Sequence, residues 1–109
     1  MASYYNSAQA FKVARHFEFK NGVNIETLAA NKELSYKDSM IQILDPDVAR
    51  DVTLPAERKG AIFFIKNEDA GANSLTVKDR STATVATVAA GEGSLFACDG
   101  AVWKLVIKA

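Results

Sequence analysis

Cysteine and histidine are almost missing from this chain of 109 residues, which has one of each, Cys98 and His16. A single cysteine excludes an intramolecular disulfide, so stability must come from packing, oligomerisation or docking. A single histidine excludes any site that needs two imidazoles. Neither sign of charge dominates, because 13 Lys and Arg balance 13 Asp and Glu. The clustered basic surplus of a nucleic-acid binder is therefore missing. A chain without net charge also does not strongly repel its own copies, which suits assembly. No run approaches the roughly 18 apolar residues of a membrane-spanning helix. The opening MASYYNSAQAFKVARHFEF lacks the basic head and the apolar stretch of roughly 7–15 residues that mark a secretory signal. The expectation is a chain made in a cytoplasm that stays soluble.

What is present is the composition of one folded domain: 49% of residues are hydrophobic and 24% charged, ordinary values for a globular protein. The first ten residues, MASYYNSAQA, have no period and read as an arm in which Tyr4 and Tyr5 are anchors. In FKVARHFEFK, Phe11, Val13, Phe17 and Phe19 alternate with Lys12, Ala14, His16, Glu18 and Lys20, and Arg15 interrupts the apolar row. Period two predicts a strand with one wet face. Asn21-Gly22 then signals a two-residue hairpin into VNIETL. AANKELSYKDS reads as a helical turn or a loop. From Met40 onward, short apolar runs alternate with turn residues: SMIQIL, RDVTLP, AIFFIKN, SLTVKD and TVATVAA, then two closing strands. Strands spaced by roughly 8–12 residues with Gly, Asp and Asn between them predict an all-β fold. The expected form is a small antiparallel β-sandwich or barrel, jelly-roll-like, with an extended N-terminal arm and hairpin. Residues 1–36 are assigned to arm and hairpin, and residues 37–109 to the compact β domain.

The closing stretch SLFACDGAVWKLVIKA carries Asp99-Gly100 between two apolar runs. Asp-Gly suits a two-residue type I′ turn, whose central residues both need positive φ. That turn sets Cys98 opposite Ala101 and Phe96 opposite Trp103. It places Phe96, Cys98, Trp103, Leu105 and Ile107 on one face, as the last hairpin of the core.

Residues that suggest chemistry have simpler roles. His16 sits on the polar side of its strand. Cys98 lies on an apolar face with no base near it in sequence, the pattern of a buried inert thiol. Asp45, Asp47 and Asp51 in DPDVARD lack the spacing and the sharp-turn glycine of a calcium loop, and Asp before Pro is turn chemistry. AAGEGS has two glycines but no Lys-Ser or Lys-Thr of a phosphate loop, and it lies between strands. With no nucleophile–base pair and no paired carboxylates in distinct environments, the expectation is a protein that is not an enzyme. No cofactor and no metal are expected.

The aromatic distribution is unusual. Tyr4, Tyr5, Phe11, Phe17, Phe19 and Tyr36 crowd the first third. Residues 62–65 are apolar on both faces, with Ile62 and Phe64 on one and Phe63 and Ile65 on the other. Such a strand needs a second cover, supplied by the chain's own arm or by a neighbouring subunit.

From Ile41 to Val106 the order of motifs is familiar: DVTLP, a strand of the form G…F.I.N, LTV, then V..VAAGEG…F.CDG..W. This order resembles a β module of tailed-bacteriophage virion proteins, found in small capsid decoration (cement) proteins and in tail-fibre segments. The resemblance implies a structural protein on the outer capsid surface that stabilises the shell. It implies the major capsid protein as partner, a homo-oligomer, here a trimer, and a virion location after synthesis in the host bacterial cytoplasm. No nucleic acid and no membrane are expected as partners. The family pattern does not extend into residues 1–36. There the candidate capsid or intersubunit contacts are Tyr4, Tyr5, Phe11, Phe17 and Phe19, with Phe96, Cys98, Trp103 and Leu105 as the core hairpin. The alternative is a tail-fibre or tail-tip module recognising a host-surface glycan.

Overall fold

Alternation of side chains governs the architecture. In Ile41–Asp45 and Ile62–Asn67 every second residue is fully buried, as expected when one sheet face is packed against a core. The computed structural model describes residues 17–19 and 21–109. Among the described residues there are nine strands and no helix. They are β1 (Val23–Thr27), β2 (Lys32–Glu33), β3 (Ile41–Asp45), β4 (Arg50–Thr53), β5 (Ile62–Asn67), β6 (Leu75–Lys78), β7 (Thr84–Val88), β8 (Gly93–Cys98) and β9 (Trp103–Lys108). One sheet has the order β1-β3-β5-β8-β9 and the other β2-β4-β6-β7.

The all-β, sandwich-like expectation holds. The antiparallel, jelly-roll-like pairing is corrected. β1, β3 and β5 are mutually parallel, and so are β2, β4 and β6. The chain crosses to the opposite sheet after each of its first strands and returns one strand further along. A parallel pair needs a long crossover; here the crossover contains a strand of the other sheet instead of a helix. Antiparallel pairing appears only later, in β5–β8, β6–β7 and β8–β9. Both sheets are thus mixed.

Between the sheets lies one core, which includes Leu44, Val52, Phe63, Ile65, Val77 and Phe96. Fully burying each such side chain contributes about 1.5–3 kcal/mol relative to exposure. Leu28 and Leu34 belong to the same core, and β1 and β2 belong to the sheets. Segment 23–34, expected in the arm and hairpin, is therefore part of the sandwich. The stretch expected to be a helical turn or loop holds β2 and a turn.

A turn does precede β1, but it ends at Gly22 and is not centred on Asn21-Gly22: the Gly22 N–H donates to the Phe19 carbonyl at 3.0 Å, with Gly22 at φ 68°. The hairpin is not formed by residues 17–19, which carry no strand, and the rest of that expected strand lies outside the described residues. Among the described residues β1 pairs with β3 alone.

The closing hairpin is also corrected. Its loop has four residues, Asp99 to Val102, and the Asp99 N–H donates to the Val102 carbonyl at 3.1 Å. Asp99 Oδ1 accepts from the N–H groups of Ala101 and Val102 at 2.8 and 2.9 Å. Gly100 sits at φ 103°, and a Cβ there would lie 3.3 Å from Lys59 Cβ, so both conformation and space favour glycine. The longer loop shifts the register: Cys98 faces Trp103 and Phe96 faces Leu105. Trp103 packs its ring 6.0 Å from that of Phe63 and donates its Nε1–H to the Pro55 carbonyl at 2.9 Å. A bulge then follows, because Leu95 pairs with Ile107 while Phe96 pairs with Leu105. The extra residue, Val106, turns Ile107 away from the core face where the sequence pattern puts it.

Buried polar groups are satisfied. Asn67 Nδ2 donates to the carbonyls of Asn73 and Val88, both at 2.9 Å, and its Oδ1 accepts from the Asp69 N–H at 2.9 Å. This amide ties the end of β5 to the loop after it and to β7. Asn67→Ala leaves these groups short of partners, each costing about 1–3 kcal/mol. The expected loss in urea unfolding is about 3 kcal/mol, and a loss below about 1 kcal/mol contradicts the assigned role.

Candidate functional site

The five-stranded sheet has a second face, turned away from the core. Its composition follows from the alternation described above. Phe63, Ile65, Phe96 and Trp103 point inward, so Ile62, Phe64 and Leu95 point outward. The register aligns five apolar residues, one from each strand: Val23, Ile41, Phe64, Leu95 and Ile107. A second row places Ile25 beside Ile43. Exposure reaches 47% at Val23, 64% at Ile107 and 74% at Ile25. Gly93 and Ala109 add almost no side chain beside Phe64, Leu95 and Ile107, and the result is a shallow groove of about 530 Å³.

β1 shows most clearly that this face is not an ordinary wet face. Its apolar residues, Val23 and Ile25, are exposed, whereas Asn24 and Glu26 are the half-buried ones. A solvent-facing edge strand normally has the opposite polarity, since a one-residue shift would exchange the faces. The inward polar groups are held by partners. Asn24 Nδ2 donates to Gln42 Oε1 at 2.8 Å and to Glu26 Oε1 at 3.0 Å, and Lys32 Nζ lies 2.9 Å from Glu26 Oε1. The bonds from Lys32 and Asn24 hold the Glu26 carboxyl below its ordinary pKa.

Of the candidate contact residues, Phe17 and Phe19 come onto this face. Their rings meet edge-on at 5.1 Å, and Phe19 lies 6.0 Å from Phe64. Phe17 remains 54% exposed. Tyr4, Tyr5 and Phe11 lie outside the described residues. Phe96, Cys98 and Trp103 are buried in the core and Leu105 is half-buried against it, so the core hairpin is structural.

Among the described residues titratable groups do not cluster on this face: Lys66 lines the groove and pairs with Glu68 at 2.7 Å. Asp99 and Asp69 have their pKa values lowered mainly by backbone N–H donors, from Val102 and Ala101 and from Asn73 respectively; their charges pin turns. Asp45 Oδ1 accepts from the Asp47 N–H at 3.2 Å, consistent with turn chemistry there, whereas Asp51 lies in β4 and pairs with Lys78 at 3.0 Å. No group of three His, Cys, Asp or Glu is placed to hold a metal among the described residues. A second hollow, of about 310 Å³, is bounded by Asn21, Tyr36, Asp38 and Arg58. Its aromatic ring is already covered, because the Arg58 guanidinium stacks 4.0 Å from the Tyr36 centroid. Burial raises the Tyr36 pKa. Trp103, the only tryptophan, is buried and offers no platform for a sugar.

Residues Val23, Ile25, Ile41, Ile43, Leu95 and Ile107 are the part of the site that sequence reasoning missed. The signal for β1 was its own alternation, Val-Asn-Ile-Glu-Thr, but nothing local says which face is the core. Comparison with protein families, curated proteins and solved structures finds no match for the chain.

A dye that reports exposed apolar surface should bind this face in the native protein. Replacing Ile25, Leu95 and Ile107 together with threonine should remove most of that fluorescence. Threonine suits strands, so the unfolding free energy should change by no more than about 1.5 kcal/mol. Undiminished dye binding by the folded triple variant would place the apolar surface elsewhere.

Proposed function

We propose that the chain is a structural virion protein: a decoration or cement protein that binds the outer surface of a phage capsid through the apolar face of its five-stranded sheet. The observation that carries this reading is the row Val23, Ile41, Phe64, Leu95 and Ile107, apolar across the whole sheet, exposed at Val23 and Ile107 and half-buried between them. Contiguous apolar surface on a folded domain marks an interaction site. The partner is the major capsid protein, as the resemblance over residues 41–106 implies, and Phe17 and Phe19 extend the contact. The sandwich serves as a rigid body and performs no catalysis.

Magnitudes bear on how such a contact works. Five strands about 4.8 Å apart and five residues long give a flat footprint of roughly 300 Å². A stable interface takes about 800 Å² from each partner. One face alone is therefore a modest contact, and firm attachment needs adjoining surface and repeated copies. Repetition supplies avidity without a single tight site. Each bound copy that touches more than one shell subunit favours the assembled shell by its binding free energy.

The test is the copy number of the protein in particles purified from the host that carries its gene, by quantitative mass spectrometry against the major shell protein. Near-stoichiometric abundance is expected. A handful of copies would indicate a tail or fibre part and contradict decoration, and absence from the particle would overturn the virion reading.

A further inference from the structure

Sheet edges usually carry devices that stop another strand from adding: lysines, bulges, short length or a covering element. Three of the four edges here have them. β9 contains the bulge at Val106 and bears Lys104 and Lys108. β2 is two residues long. β7 is partly covered by β9, whose Lys108 donates to the Thr87 carbonyl at 2.9 Å.

Among the described residues β1 has no lysine, bulge, short length or covering strand, and its one inward-pointing charge, Glu26, is paired within the chain with Lys32 at 2.9 Å. The strand is five residues long, its pairing with β3 is unbroken, and it contains no proline. Nor do residues 17–19 run along it, since Phe19 lies over Phe64, two strands away on the outer face.

The sequence of this edge is also complementary to itself. Turned about a twofold axis through Ile25, Val-Asn-Ile-Glu-Thr sets Ile25 opposite Ile25, Val23 opposite Thr27 and Asn24 opposite Glu26. Three β-branched pairs, Ile25 with Ile25 and Val23 with Thr27 on either side, then share the outer face. On the inner face each Glu26 carboxylate meets an amide, not the other carboxylate. Like charges directly opposite would be destabilising, and this register avoids them. An isologous contact requires that residue i meet j while j meets i, and this strand meets that condition.

We infer that two copies of the chain pair antiparallel through β1 and merge their sheets into one of ten strands. The merged sheet carries a continuous apolar outer face twice as wide as that of one copy, which bears on the small footprint of a single face. Where the resemblance implies a trimer, this edge specifies a pair. The pairing does not rest on the capsid reading, because it is a property of the isolated protein.

The experiment is sedimentation velocity on the full chain, with Ile25→Lys and Ile107→Lys beside it. Both residues are exposed on the outer face, but only Ile25 lies on the axis. A pair is expected for the wild type and for Ile107→Lys, and a monomer with unchanged circular dichroism for Ile25→Lys. In parallel, Ile25→Cys and Ile107→Cys are treated with oxidised glutathione. Directly opposite Cβ atoms lie about 4.5–5.5 Å apart, close to disulfide range, so only Ile25→Cys should give a covalent dimer. A monomeric or trimeric wild type, a pair that survives Ile25→Lys, or equal cross-linking of the two cysteine variants would each overturn the inference. Should Ile25→Lys fail to fold, the cysteine pair alone decides.

Discussion

Ile62, Phe63, Phe64 and Ile65 stand consecutively in β5, so one strand offers apolar side chains to both faces of its sheet. Water is a poor neighbour for either face. On the inner face the constraint is met within the chain. Phe63 and Ile65 are 1% exposed, covered by the four-stranded sheet and by Trp103. On the outer face, among the described residues, it is met only in part, by Phe19 over Phe64. The rest of the structure is arranged around this imbalance. β5 sits at the centre of its sheet, with parallel strands on one side and antiparallel strands on the other. Its register carries the outward apolar row to both edges.

Polar chemistry in the molecule serves the fold. Asn67 closes the end of β5, Ser94 Oγ donates to the Ile65 carbonyl at 2.7 Å, and the Asn24–Gln42 pair fills the inner side of β1. These groups satisfy backbone and side-chain partners that burial would otherwise leave costly. Their hydrogen bonds are made within the sandwich, although Gln42 and Ser94 also border the outer groove. What the surface offers a partner is therefore apolar area and backbone edge. That is the chemistry of assembly, where geometry and repetition matter more than any one strong contact.

Much of the fold is legible in the sequence. SMIQIL, RDVTLP, AIFFIKN, SLTVKD and TVATVAA each contain an observed strand, because alternation and turn residues are local signals. The order of strands is not local. A meander and a chain that switches sheets at every turn have the same run lengths and the same turn chemistry, so parallel pairing leaves no mark on the period. The bulge at Val106 is silent for a similar reason: WKLVIK reads as an even alternation, and only pairing with β8 reveals that Ile107 has changed face. The four-residue loop at Asp99 depends on side-chain bonds that compete with the two-residue turn suggested by Asp-Gly. Phe17 and Phe19 were named from the crowding of aromatics in the first third, and their rings meet each other and Phe64 on the outer face, while Tyr4, Tyr5 and Phe11 fall outside the described residues.

The central claim is that the outer face of the five-stranded sheet is an interface. Hydrogen–deuterium exchange, compared between the free protein and the protein mixed with the phage particles proposed as its partner, measures this most directly. Slower exchange in β9 on binding, with β2, β4 and β6 unchanged, is the result the account predicts. Unchanged β9, with protection confined to the four-stranded sheet, would contradict it.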